Sequence, residues 1–392
     1  MKKKLAILGA SYLQKPLIQK AKNLNIETHV FAWENGAIAK DMSDFFYPIS
    51  ILNKEEILSI CKKIKPDGIT TIASDIAMPT VNYIASKLGL IGNSIESTKR
   101  STDKYKMREA LKNADIPCPR FSLYEKSNFE NKENFDFPLI VKPTDRSGSR
   151  GVTQVFNIKE TNEAINKALE NSFKKRVIVE EFINSNREFS VEFISHKGYH
   201  YPLAITDKIT TGSPFFTEIE HHQPANISQN TRDKIFNLTK NILDALHIKN
   251  GASHTEVYLL NNNEIVVVEC AGRMGGDFIG SHMVQLSTGF DFIHATIDVA
   301  LNQFKYTKYC HPVKKLYSGV YFITPKIGEI KTIVDNSESF PEVVHSEFLM
   351  KIGDRVTDII DGSDKRSGII VYSSDIPNPI KDANEVLKIE TL

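Results

Sequence analysis

A chain of 392 residues is too long for one ordinary hydrophobic core, so two or three domains are expected. Its 41% hydrophobic and 25% charged content describes a soluble globular protein, and 49 Lys and Arg against 48 Asp and Glu leave no overall field of the kind that gathers nucleic acid. No apolar run approaches the roughly 18 residues of a membrane span. Cys61, Cys118, Cys270 and Cys310 are scattered without CxxC spacing, which points to reduced thiols in a cytoplasm rather than disulfides or zinc.

Residues 4 to 100 alternate strands and helices. After Lys2-Lys3-Lys4, the run from Leu5 is too short for a secretory leader and reads as a buried strand. Pro16 to Asn25 follows as a helix, Glu27 to Ala32 as a strand, Lys54 to Ile64 as a helix, Gly68 to Ala73 as a strand and Thr80 to Leu88 as a helix. That order predicts a parallel sheet with crossover helices, whose ligands lie at the carboxyl ends of the strands. Gly9-Ala10-Ser11 and Ala73-Ser74-Asp75 sit at two such ends, as substrate loops or as structural turns. The first is not G-x-G-x-x-G, so a nicotinamide site is poorly supported.

Residues 101 to 120 predict a helix capped by Asp103 or Thr102 and stopped by Ile116-Pro117 and Pro119. Lys104 stands in its first turn, where the helix dipole prefers an acid; a charged ligand would offset that cost, and a solvated lysine is the plain alternative. Further on, a buried strand ends on Lys142-Pro143 and runs into Thr-Asp-Arg-Ser147-Gly148-Ser149-Arg150-Gly151. Backbone N–H groups of such a loop can cradle phosphate while the lysine supplies a point charge, although the spacing is not that of a P-loop and a hairpin would also explain it.

Arg176 to Ile183 is another buried strand, carrying Glu180, Glu181, Phe182 and Ile183, and the segment after it sets Glu188, Ser190 and Glu192 on one face. A carboxylate taking ribose hydroxyls and backbone groups reading an adenine amine would suit these positions; a surface hairpin laced with acids is the alternative. Pro202 to Ala225 holds Asp207, Lys208, Phe215, Phe216, Glu218, His221 and His222. Adjacent histidines without further ligands at suitable spacing argue against zinc and for substrate contact or packing. Ser228 to Leu246 has the periodicity of an amphipathic helix.

Two strands then end in acids. Glu256 lies in Gly-Ala-Ser-His-Thr-Glu-Val-Tyr-Leu-Leu and Glu269 in Ile-Val-Val-Val-Glu, and the Asn261-Asn262-Asn263 turn between them predicts a hairpin that sets the two side by side. Neighbouring carboxylates repel unless they share a proton or a hard metal ion such as Mg²⁺ or Mn²⁺, or stay solvated on an exposed turn. Arg273, Gly275 and Gly276 follow. Gly280 to Asn302 reads as one helix, and from about 313 short strands between Gly, Pro, Asn and Asp turns predict a small antiparallel β module.

The series Lys104, Val-Lys142-Pro, Ser-Gly-Ser-Arg-Gly, Val-Glu180-Glu181-Phe-Ile, Glu256 and Glu269-x-x-x-Arg273 resembles the ATP-grasp superfamily in order over nearly the whole chain. It is most similar to the carboxylate–amine ligases, related to L-amino acid (dipeptide) ligases, biotin carboxylase and formate-using purine enzymes. The resemblance implies an α/β fold, α+β in part: an N-terminal parallel, Rossmann-like pre-ATP-grasp domain (1–102), a central ATP-grasp domain (103–312, lid about 115–185) and a C-terminal antiparallel β module (313–392). It implies that Lys104 and Lys142 hold ATP phosphates under the loop of Ser147, Gly148, Ser149 and Gly151. Glu180 with the backbone of Glu181, Phe182 and Ile183 matches the adenine hinge, and Glu188 the ribose-binding acid. Glu256 and Glu269 match the ligands of one or two Mg²⁺ or Mn²⁺ ions. Arg273, with Lys208, is placed at the catalytic centre. Many members carry Asn two residues after the second acid; here Ala271 stands there, which leaves the ion count at one or two. Glu218, His221, His222, Gly275 and Gly276 are the substrate candidates.

The implied reaction activates a small carboxylate as an acylphosphate and joins it to an amine, in a cytoplasmic enzyme that meets neither nucleic acid nor membrane and is compatible with a homodimer. The alternatives are a formate- or bicarbonate-using enzyme and a non-catalytic ATP sensor. A carbamoyl phosphate synthase-like activity would require a duplicated grasp unit, and the sequence has no internal repeat.

Overall fold

A computed structural model describes residues 2–131, 133–148, 150–185, 187–213, 217–356 and 366–392. The first elements are β1 (Lys4–Leu8), α1 (Lys15–Asn23), β2 (Glu27–Phe31), β3 (Phe45–Tyr47), α2 (Lys54–Ile64), β4 (Gly68–Thr70) and α3 (Met78–Leu88). They make the expected parallel sheet, in the order β3-β2-β1-β4. Leu5 to Leu8 are fully buried because helices cover both faces.

The helix expected after an Asp103 or Thr102 cap is α5 (Lys104–Asn113), with Asp103 as the cap, and a separate helix that was not expected, α4 (Ile95–Thr102), precedes it. Asp103 breaks them apart: its extended backbone ends α4 while its carboxylate accepts from the Lys106 N–H at 3.3 Å and caps α5. A small antiparallel sheet follows, of β5 (Phe121–Tyr124), β6 (Leu139–Pro143), β7 (Thr153–Val155) and β8 (Val177–Glu181) in the order β5-β8-β6-β7. Helix α6 (Ile158–Asn171) lays Ala164, Ile165 and Ala168 on Leu139, Val141 and Val179, giving this unit its own core.

The central sheet begins with β9 (Glu188–His196), β10 (Tyr199–Thr210) and β11 (Glu218–Gln223), crosses by α7 (Gln229–Ala245), and returns as β12 (Gly251–Leu259) and β13 (Ile265–Ala271). Phe189, Val191 and Phe193 pack against Ile235, Ile242 and Leu243 of α7. The helix expected over 280–302 is broken. A single π turn (Ile279–Met283) and α8 (Val284–Thr288) stop at Gly289, whose φ of +73° leaves the helix, and α9 (Phe292–Ala300) restarts under an Asp291 cap. A Cβ on Gly289 would meet the His311 carbonyl oxygen at 2.0 Å, so the break is imposed by a close backbone approach.

The last strands are antiparallel: β14 (Tyr317–Ile323), β15 (Gly328–Asp335), β16 (Val343–Phe348), β17 (Arg355–Val356), β18 (Gly368–Ser374) and, after the short α10 (Ala383–Val386), β19 (Leu387–Thr391). Three of them extend the central sheet, which runs β13-β12-β9-β10-β11-β14-β18-β16, while β17-β15-β19 form a separate layer. Among the described residues no helix is long and apolar enough to cross a membrane.

Candidate active site

The hairpin of β12 and β13 turns at Asn263, whose φ is +63°, and its register sets Glu256 directly opposite Glu269. Each acid holds its own lysine. Lys104, first residue of α5, donates to Glu269 Oε1 at 2.8 Å and to the Arg146 carbonyl at 2.7 Å. Lys208, on β10, donates to Glu256 Oε1 at 2.8 Å and to Glu188 Oε1 at 2.7 Å, with Glu218 at 3.4 Å. Burial works against both ammonium charges, yet Glu269 keeps Lys104 above its ordinary pKa and Glu188 with Glu256 keeps Lys208 well above its own. Burial likewise opposes ionisation of Glu256, but Lys208 and His254 hold it well below the usual carboxylate range. Glu188 goes the other way, since its burial outweighs Lys208.

His254, two residues before Glu256, lies between Glu192 Oε1 on one ring nitrogen and Glu256 Oε1 at 3.2 Å on the other. Burial would lower its pKa; Glu192 and Glu256 outweigh that and raise it to about 9. The Gly275 N–H donates to the second oxygen of Glu192 at 3.2 Å.

In the same cleft, Lys142 pairs with Glu180 at 2.7 Å. Glu180 also takes the guanidinium of Arg108, with Nε at 2.8 Å, and Arg108 reaches on to the Val268 carbonyl at 2.7 Å. Desolvation and the neighbouring Arg108 and Lys104 lower the Lys142 pKa in spite of Glu180. Glu181 is turned outward, accepting from the backbone N–H and Nε of Arg120, each at 2.8 Å. Phe182, Ile183, Ser147 and Gly148 line the cleft. Gly151 packs near Pro143, and Ser149 lies outside the described residues, as do Phe215 and Phe216.

Arg273 reaches into the cleft with its guanidinium held side-on by Asp75, at 2.8 Å from Nε and 2.7 Å from Nη2. Glu218 faces Lys208 and accepts from the buried Arg366 at 3.0 Å, and Arg366 also binds Asp277 at 2.7 Å. His221 is buried beside that cluster, 3.9 Å from Asp277. His222 points to the opposite face of β11, bonded to the Tyr372 hydroxyl at 2.9 Å and Glu220 at 2.8 Å, so it is not brought to the cleft. Gly275 packs against His254 and Glu192, and Gly276 against Ala73.

The sequence reading did not single out Arg108, Arg366, Asp277 or a function for Glu192. Arg108 carried a signal, since it follows Lys104 by four residues on one helix and shares its face. Arg366 carried none, because the sheet that brings β18 beside β14 is a long-range event.

Among the described residues no cluster of three or more His, Cys, Asp or Glu side chains is arranged to hold a metal ion. Glu256 and Glu269 stand opposite each other across the hairpin, each paired with a lysine, and carboxylates so placed offer oxygen donors of the kind a hard divalent ion takes.

A sequence model of the ATP-grasp domain matches residues 135–281. The chain is 28% identical over 273 residues to alanine–anticapsin ligase of Bacillus subtilis (strain 168), covering 60% of this chain and 57% of that protein. It thus spans little more than half the length of that relative. It is 24% identical over 291 residues, 70% of each chain, to formate-dependent phosphoribosylglycinamide formyltransferase of Prochlorococcus marinus (strain MIT 9515). The crystal structure of L-amino acid ligase from Bacillus licheniformis shares its fold, with a TM-score of 0.83 at 23% identity, covering 100% of this chain and 99% of that one.

Proposed function

This chain belongs to the ATP-grasp superfamily, and on that premise we propose that it is an ATP-dependent carboxylate–amine ligase that forms a C–N bond and releases ADP and phosphate. The observation that carries the reading is the pairing of Glu256 and Glu269 across one hairpin, with Lys104, Lys208 and Arg273 around them in one cleft.

Phosphoryl transfer needs positioning and charge neutralisation more than a protein nucleophile. Lys142 and Lys104 are buried cations at the mouth of the Ser147-Gly148 loop, and ATP phosphates would compete for them with Glu180 and Glu269. Glu188 is the ribose-side acid of this reading, next to Phe182 and Ile183 on the adenine side. Glu256 and Glu269 would hold one or two Mg²⁺ ions, which neutralise charge on the phosphate oxygens when bound. Arg273 offers its guanidinium to the γ-phosphoryl group as the substrate carboxylate attacks phosphorus, ADP leaves, and an acylphosphate is formed. An amine then attacks the acyl carbon, the tetrahedral oxyanion faces Arg273, and phosphate departs. Lys208, tied to Glu188, Glu256 and Glu218, joins the nucleotide end to the acceptor end, where Glu218 lines the cleft as the proposed substrate contact and His221 lies buried behind it.

The test is phosphate release from ATP and Mg²⁺ over pairs of amino acids and small carboxylates, with the amide product identified by mass. Release that requires both an acid and an amine is expected; nucleotide binding without release for any pair would overturn the reading. The formyltransferase likeness over 70% of the chain favours a second reading with formate as the acid, for which an N-formyl product is the signature.

A further inference from the structure

We infer that Asp75, at the end of the N-terminal sheet, is the positioning residue for Arg273. The inference rests on the reading above, which sets Arg273 at the phosphoryl centre.

Arginine has five N–H donors. Asp75 accepts from Nε and Nη2 at 2.8 and 2.7 Å, and the Met274 carbonyl accepts from Nη1 at 3.2 Å. The donors left are one on each terminal nitrogen, the end-on pair that matches two oxygens of a phosphoryl or carboxyl group. A side-on carboxylate therefore fixes the plane and direction of the fork and leaves its reactive edge available.

The loop that carries Asp75 is itself anchored. The Thr71 hydroxyl donates to the Leu8 carbonyl at 2.7 Å, and Gln14 Nε2 donates to the Ile72 carbonyl at 2.8 Å. Gln14 Oε1 in turn accepts from the Ser11 hydroxyl at 2.7 Å, so the loops after β1 and β4 are one braced unit. Ala73, at a φ of +54°, donates its N–H to the Met274 carbonyl at 3.2 Å and seats this unit on the Arg273 turn. Asp75 lies 198 residues from Arg273 in sequence, and the pair is largely buried, with 12% and 17% of the side chains exposed. The two strand-end loops thus serve as a buttress for the reaction centre.

The test uses Asp75→Asn, Asp75→Glu and Arg273→Ala in the full chain. In ¹⁵N-arginine-labelled protein, the Arg273 Nε–Hε signal, assigned by its absence in Arg273→Ala, should be shifted and slow to exchange. Exchange should quicken at least about tenfold in Asp75→Asn and recover in part in Asp75→Glu. With the acid and amine pair found by the screen, Asp75→Asn should lower kcat about 100-fold with KM for ATP within about threefold, the size expected for a misoriented group. The double variant should be no slower than Arg273→Ala alone. An Arg273 signal unmoved by Asp75→Asn, an unchanged kcat, or additive losses would overturn the inference. Should no pair support turnover, the proposed reaction fails while the exchange measurement alone decides the role of Asp75. Should Asp75→Asn not fold, Asp75→Glu is decisive, and an unmoved signal there counts against the inference.

Discussion

Arg108 and Glu180 form an ion pair in which both side chains are almost wholly buried, at 1% and 3% exposure, and Lys142 leans on the same carboxylate. Glu180 is thus committed to holding two cations in place. Breaking such a pair strands a charge in low dielectric, typically at 3–5 kcal/mol. Because Lys142 would remain as a partner, Arg108→Ala should lower unfolding free energy by about 3 kcal/mol. Arg108→Lys, which keeps the charge but loses the fork to Glu180 and Val268, should cost less. Urea midpoints with unchanged slopes would establish this; a loss under about 1 kcal/mol would contradict it.

Glu256 and Glu269 make the second prediction. Glu256→Gln or Glu269→Gln should reduce ATP-dependent phosphate release about 100-fold or more, in the range seen when one group stabilising transition-state charge is removed. The circular dichroism spectrum should stay that of the parent, because Lys104 keeps the Arg146 carbonyl and Lys208 keeps Glu188. Removing divalent ions with EDTA should abolish release in the parent, and added Mg²⁺ should restore it. Release that survives EDTA would exclude the metal role of this pair.

The hairpin was legible because its signals are local, β-branched runs and an Asn turn; the register from that turn alone would set Glu256 opposite Val268, and the one-residue bulge between Glu256 and Val257 that brings it opposite Glu269 left no such signal. The parallel order of the first sheet was legible from alternating elements. The Asp103 cap was legible as a helix start, whereas the break at Gly289 was hidden for a physical reason, since it is set by a close approach to the distant His311 backbone. His222 was indistinguishable from His221 by type; only the β-strand alternation that points them to opposite faces separates them, and it required knowing that β11 is a strand. Arg366 was out of reach, because three strands must pair before it meets Glu218.

The two glycines after Arg273 should behave differently. A Cβ at Gly275 would stand 2.6 Å from His254 Nδ1 and 2.8 Å from Glu192 Oε1, whereas at Gly276 it would meet Ala73 Cβ at an ordinary 3.6 Å. Gly275→Ala must therefore push apart a buried histidine–carboxylate pair, and a loss of about 2 kcal/mol is expected, as for overpacking. Gly276→Ala should shift stability by less than about 0.5 kcal/mol. Thermal melts of the two variants side by side would check the contrast, and equal losses would refute the assignment of Gly275 to packing.

His282 gives the molecule an acid-side weakness. Burial first, then the neighbouring His345 that stacks on it at 5.7 Å, lowers its pKa from 6.5 to about 4. Phe278 covers the ring at 4.9 Å, Ser281 bonds one ring nitrogen at 2.9 Å, and Glu347 lies 3.5 Å from His345. The unfolded chain binds a proton here near pH 6.5, which the folded chain refuses until about pH 4. The contribution of the neutral ring is therefore intact above pH 6.5 and is lost progressively as pH falls toward 4. His282→Gln should flatten the fall of urea midpoint with pH across that window by up to one proton's worth, and leave the midpoint at pH 8 to reflect packing alone. Parallel pH profiles for the variant and the parent would show instead that the ring is free to protonate in the folded protein.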